Sequence, residues 1–135
     1  MDPLSLAASI AGLLSLTASV ISAGYTLCSK LSKNASDLPA LISETAGFSG
    51  VLLAVKTHME SQPQSVPDPE VMTRMLGACR NTVIEISGML DKLSKANRIS
   101  MIVKGEEREE RLEKLLRRVE QHKSFFILCF QLEHR

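Results

Sequence analysis

Tryptophan is absent from this 135-residue chain, tyrosine occurs once and phenylalanine four times. With so few aromatics, and no basic stretch interleaved with them, the sequence lacks the stacking and phosphate-contacting surface that nucleic-acid binding uses. A formal net charge of +1 at pH 7 adds no whole-molecule field in its place. Cysteine occurs three times, at Cys28, Cys79 and Cys129. An odd number at wide spacing, each within an apolar helical pattern, argues against a disulfide framework and for reduced, mostly buried thiols in a cytoplasmic protein. The glycines form no phosphate-cradling loop, since Lys104-Gly105 has neither the preceding glycine nor the following hydroxyl residue. His58, His122 and His134 are not spaced as helical ligand pairs, and no two cysteines are close, so neither a metal site nor a cofactor is expected. The carboxylates are interspersed with bases, as on a solvated face, and Cys79 shares a helical stripe with Met75, Leu76 and Val83, as a structural thiol would. No catalytic residue and no small-molecule substrate is expected, and the chain reads as no enzyme.

Charge is missing most completely at the start. From Pro3 to Ser29 there is no acidic or basic residue, yet eight serines and threonines lie between Ser5 and Ser29. On a helix, Ala7, Ala11, Ser15, Ser19 and Ala23 form a ridge of small side chains, beside which Leu6, Ile10, Leu13, Val20 and Ile21 recur at helical spacing. Such a helix can pack closely against others in a soluble bundle or in lipid. Three readings stay open for it. About 20 residues suffice to span a bilayer, although the hydroxyls make insertion of an isolated helix marginal. A signal peptide would carry positive charge ahead of its apolar region, where this chain has only Asp2. Burial in a bundle is the simplest of the three.

The remainder is a helix-forming mixture of Ala, Leu, Ser, Glu, Lys and Arg, and it reads as all-α. Residues 1–135 are expected to form one helical-bundle domain of four main helices, near 3–30, 37–61, 69–96 and 106–132, with residues 1–30 its apolar N-terminal helix. Leu38, Leu41, Phe48, Leu52, Val55 and Met59 mark the second stripe. Gly47 and Gly50 within it predict a bend or a close helix approach. Pro63, Pro67 and Pro69 break the pattern, and Asp68 is placed to cap the third helix, whose stripe runs through Met72, Met75, Leu76, Cys79, Val83, Ile86, Leu90 and Leu93. The polar stretch Lys33–Ser36 reads as a connection, and Asn97–Gly105, with the apolar run Ile99–Val103, as a loop or brief strand. In the fourth helix, Glu107, Glu110 and Glu113 each stand four residues before a base, a self-supporting solvent face opposite Leu112, Leu115, Leu116 and Val119. The helix then runs into Ser124–Phe130, apolar on every side, which calls for cover that the other helices do not fully supply.

The opening string Met1-Asp-Pro-Leu-Ser-Leu-Ala-Ala-Ser-Ile-Ala-Gly-Leu-Leu-Ser-Leu resembles that of the HeLo-like N-terminal domains of fungal signal-transducing NTPases. The likeness continues through Leu38-Pro39 and Glu44, Leu76-Gly-Ala-Cys79, and Leu112, Leu116, Glu120, His122, Lys123 and Ser124. It implies a helical bundle that serves as the effector end of an immune-type or incompatibility switch, some relatives causing cell death by permeabilising membranes through the first helix. On that reading the working residues are Leu6, Ile10, Ala11, Leu13 and Leu14, with Phe125, Phe126 and Phe130 as a second surface. The implied partners are the chain itself, a regulatory NTPase or repeat protein, and anionic membrane lipid. The alternative is a protein-interaction or scaffold domain with no membrane activity. No NTPase, repeat or amyloid-type segment accompanies the bundle, so either a separate protein is expected to supply the trigger or this is a truncated or stand-alone module.

Overall fold

A computed structural model describes residues 3–30, 37–95 and 105–131. Four long helices account for nearly all of them: α1 (Pro3–Lys30), α2 (Asp37–Ser61), α3 (Pro69–Lys95) and α4 (Gly105–Phe130), with a single 3-10 turn at Pro63–Ser65. The protein is an all-α four-helix bundle, with no strand among the described residues. The expected connection at Lys33–Ser36 and the run Ile99–Val103 lie outside the described residues. So do the helix ends expected at 96 and 132.

Local chemistry starts the third helix where the sequence places it. Asp68 Oδ1 accepts the Glu70 N–H at 3.1 Å and the Asp68 carbonyl accepts the Met72 N–H at 3.0 Å, so the cap fills both of its roles while Pro69 supplies a residue with no donor to satisfy. Packing then arranges the helices around a square. The ring runs α1, α2, α4, α3, with the α3–α4 side the thinnest and α1/α4 and α2/α3 on the diagonals. Contacts pair Phe48 with His122 and His58 with Phe130, so α2 and α4 run parallel, whereas Thr82–His122 and Glu85–Arg118 make α3 and α4 antiparallel. The proline-rich segment after α2 therefore crosses the end of the bundle to reach the diagonal helix, a span for which a tight turn would be too short.

Every residue of the expected α2 stripe is buried, and in α3 only Met75 is half-buried. α1 buries Leu6, Ile10, Leu13, Thr17, Val20, Gly24 and Leu27, alternating steps of four and three in the manner of a coiled-coil seam. Thr17 is fully buried there, and its hydroxyl donates to the Leu13 carbonyl at 2.7 Å, so that polar atom is satisfied within the core.

Two expectations about small residues are corrected by this seam. The ridge of Ala7, Ala11, Ser15, Ser19 and Ala23 does not pack: Ala7 is half-buried and the other four are exposed. Gly47 and Gly50 do not mark a close approach either. Both are exposed within an unbroken helix, Gly47 meeting only the Lys123 side chain at 3.5 Å and Gly50 open space. The close approach is at Gly24, where an added Cβ would overlap Ile42 of α2, lying 2.7 Å from its Cγ1. Gly24→Val is therefore expected to destabilise the bundle by about 1–3 kcal/mol through overpacking. Gly12→Ala, whose Cβ meets nothing within 4 Å, is expected to gain about 0.5–1 kcal/mol of helix propensity. Urea unfolding of the two variants reads both signs, and a stabilised Gly24→Val would show that α1 and α2 are not in contact there.

Candidate functional surface

Once its seam is buried, α1 presents the rest of its circumference without a charge from Ser5 to Ser29, ahead of the exposed Lys30 in its last turn. Ala8, Ala11, Gly12, Ser15, Ala18 and Ser22 are exposed, and Tyr25 is exposed by 53%. Surface helices of soluble bundles ordinarily carry charge on the solvent side. The hydroxyls on α1 do not all look outward for partners: Thr26 donates to the Ser22 carbonyl at 3.1 Å and Ser29 to the Thr26 carbonyl at 2.7 Å, as buried Thr17 does to Leu13. A hydroxyl bonded to its own helix costs less to move into an apolar medium than one bonded to water. Both α1 and α2 are long and apolar enough to cross a membrane, a measure that the core helix of a soluble protein also meets. On α2, Leu53 adds a second large apolar side chain to the solvent surface, exposed by 56%.

The opposite side of the molecule is charged. Arg117 meets Glu113 at 2.6 Å on α4, whereas the other two acid-base spacings of that helix form no ion pair among the described residues. Two longer-range pairs, which helical spacing alone does not reveal, tie helices together: Arg118 to Glu85 of α3 at 2.6 Å and Lys123 to Glu44 of α2 at 2.5 Å. At the start of α2, Asp37 lies within hydrogen-bonding reach of Glu109 of α4, and that contact, with some burial and the Asp37 charge, pushes the Glu109 carboxyl above its ordinary range.

The candidate residues named from sequence divide sharply. Leu6, Ile10, Leu13, Phe126 and Phe130 are core, Leu14 and Phe125 are half-buried, and Ala11 alone is exposed. The Ser124–Phe130 segment finds more cover than its composition suggested. Phe126 lies between Phe48 and Phe130, at ring-centroid distances of 6.4 and 6.5 Å, and Phe130 takes His58 edge-on at 5.3 Å. Leu128 and Cys129 are left outside. His122 was singled out only by family resemblance, yet it occupies a core-facing position between Val119 and Phe126, hydrogen-bonded to Thr82.

The cysteines are likewise uneven. Burial pushes the Cys79 thiol up to about 12 and raises that of half-buried Cys28, whereas Cys129 is exposed, against the expectation that all three are mostly buried. Cys79 is therefore a thiol, not a thiolate, throughout the neutral range. With an aromatic disulfide reagent at pH 8, Cys129 is expected to react at once, Cys28 slowly and Cys79 only on unfolding. Two fast thiols in native protein would contradict the burial described for Cys28 and Cys79. No group of three or more acidic, histidine or cysteine side chains able to hold a metal ion occurs among the described residues. Compared with known protein families, characterised proteins and solved structures, the chain gives no match.

Proposed function

We propose that this chain is a non-enzymatic effector bundle of HeLo-like character that works in the cytoplasm and is recruited to membranes through α1. The observation that carries the reading is the uncharged outer face of α1 from Ser5 to Ser29, on which the Thr26 and Ser29 hydroxyls are bonded to the helix itself. The resemblance of the opening string and the later helical positions supports it independently. Self-association, or docking to a regulatory NTPase or repeat protein, would supply the trigger.

Energetics constrain how α1 could act. Its seam buries five large aliphatic side chains, and exposing them to water would cost roughly 8–15 kcal/mol at 1.5–3 kcal/mol each. That is as large as the whole stability of a domain of this size. Free release into solution is therefore not the mechanism. The helix can leave only as hydrocarbon, or the apolar face of another chain, replaces the core it gives up.

The interaction-domain reading is favoured by one specific observation: most of the apolar residues that a lipid would take up are already core, while Tyr25, Leu53 and Leu128 are exposed in the closed bundle. Vesicles decide between the two. Folded protein is expected to co-sediment with anionic liposomes and release a trapped dye. If it does neither at concentrations where it self-associates, the membrane reading falls and the interaction domain takes its place.

A further inference from the structure

We infer that the seam between α3 and α4 is an acid-sensitive joint, with His122 as the group whose protonation loosens it. This is the thinnest of the four sides of the bundle, and a polar contact stands at its core-facing register. Thr82 is 1% exposed, and its Oγ1 lies 2.8 Å from His122 Nε2 and 3.1 Å from the Ala78 carbonyl. A hydroxyl carries one proton. With that proton given to Ala78, Nε2–H of a neutral imidazole donates to Thr82, and the other ring nitrogen is the one left to take a proton.

The surroundings oppose that proton. From α2 the ring faces Phe48 at 6.2 Å. Glu44 of α2 is already engaged by Lys123, and Glu85 of α3 by Arg118. Arg118 and Lys123 flank His122 on α4 itself, so an imidazolium would be a third cation beside two carboxylates that already have partners. Burial first, and the Arg118 charge second, hold His122 below the ordinary histidine range. A histidine with a depressed folded value binds its proton more tightly once the seam opens. Its contribution is complete above the unfolded value of about 6.5 and declines as pH falls from there toward the folded value. The Asp37–Glu109 contact at another corner has the opposite sign, because its raised carboxyl favours the folded state at acid pH and loses that advantage as pH rises. The informative comparison is therefore between variants at each pH.

The test measures urea midpoints at pH 7.5 and 5.5 for the full chain, His122→Gln and His58→Gln, with amide protection factors at both pH values. Glutamine keeps an N–H donor for Thr82 and cannot charge. The wild-type midpoint should fall on acidification relative to that of His122→Gln, with His58→Gln behaving as wild type, and protection should drop in α3 and α4 while α1 and α2 hold. Identical pH dependence in wild type and His122→Gln overturns the inference, and so does a uniform loss of protection. Should His122→Gln fail to fold, the wild-type imidazole titration decides alone. A His122 midpoint below the ordinary histidine value of about 6.5 supports the joint, and one at or above it removes it.

Discussion

Phe126→Ala is expected to lower stability by about 3–5 kcal/mol, the range for truncating a fully buried phenylalanine. Leu128→Ala, two residues along the same helix, is expected to change it by less than about 0.5 kcal/mol. Phe126 has no exposed surface and joins α4 to α2 through Phe48, with Phe130 alongside, whereas Leu128 is 78% exposed. Removing the ring leaves a cavity where two helices meet, and the surrounding aromatics can collapse into it only partly. Removing the Leu128 side chain takes away surface that water already covers. Denaturant unfolding of both variants with unchanged m-values reads the difference, and coincident midpoints would show that α4 is rotated from the orientation described.

Ala11→Arg is expected to leave the bundle folded and to abolish its action on vesicles. Ala11 is exposed, so an arginine there reaches water without disturbing the seam, and the helical circular dichroism and urea midpoint should match wild type. In a membrane the same arginine would sit about a third of the way along the helix, at a cost of up to about 2.5–3.5 kcal/mol, the figure for a helix-centre charge on insertion scales, or at most roughly 400-fold in partitioning. Leu13→Asp is the poorer probe, because Leu13 is 3% exposed and a buried carboxylate would unfold the protein before lipid was involved. Truncation of Met1–Leu6 suffers the same fault, since Leu6 is core. Dye release by Ala11→Arg at the wild-type rate would rule out insertion of α1 as the working step.

Much of this molecule was legible one helix at a time. α3 contrasts its faces strongly enough that counting threes and fours identifies the inner one, and Asp68 followed by Pro69 announces where it begins. The same count on the less contrasted α2 finds buried positions but passes over Ile42 and Thr45. Such signals are local, because a cap or a stripe is complete within a few turns. The opening of the chain was legible in a weaker sense. Absence of charge declared α1 unusual, but a helix of Leu, Ile, Val, Ala, Ser and Gly has little contrast between its faces, so the small-residue ridge could be mistaken for a packing surface when it is the solvent side.

Composition and periodicity by themselves determined an all-α chain, four helices and most of the core, since burying an apolar stripe on each helix admits few other solutions. Only the tertiary structure decided which glycine lets two helices touch, which of the terminal phenylalanines are covered, and that His122 is held against Thr82 forty residues away. Each of these depends on how far one helix is rotated and shifted against its neighbour. That relation is set by the packing of the two surfaces together, and neither helix's own sequence carries it.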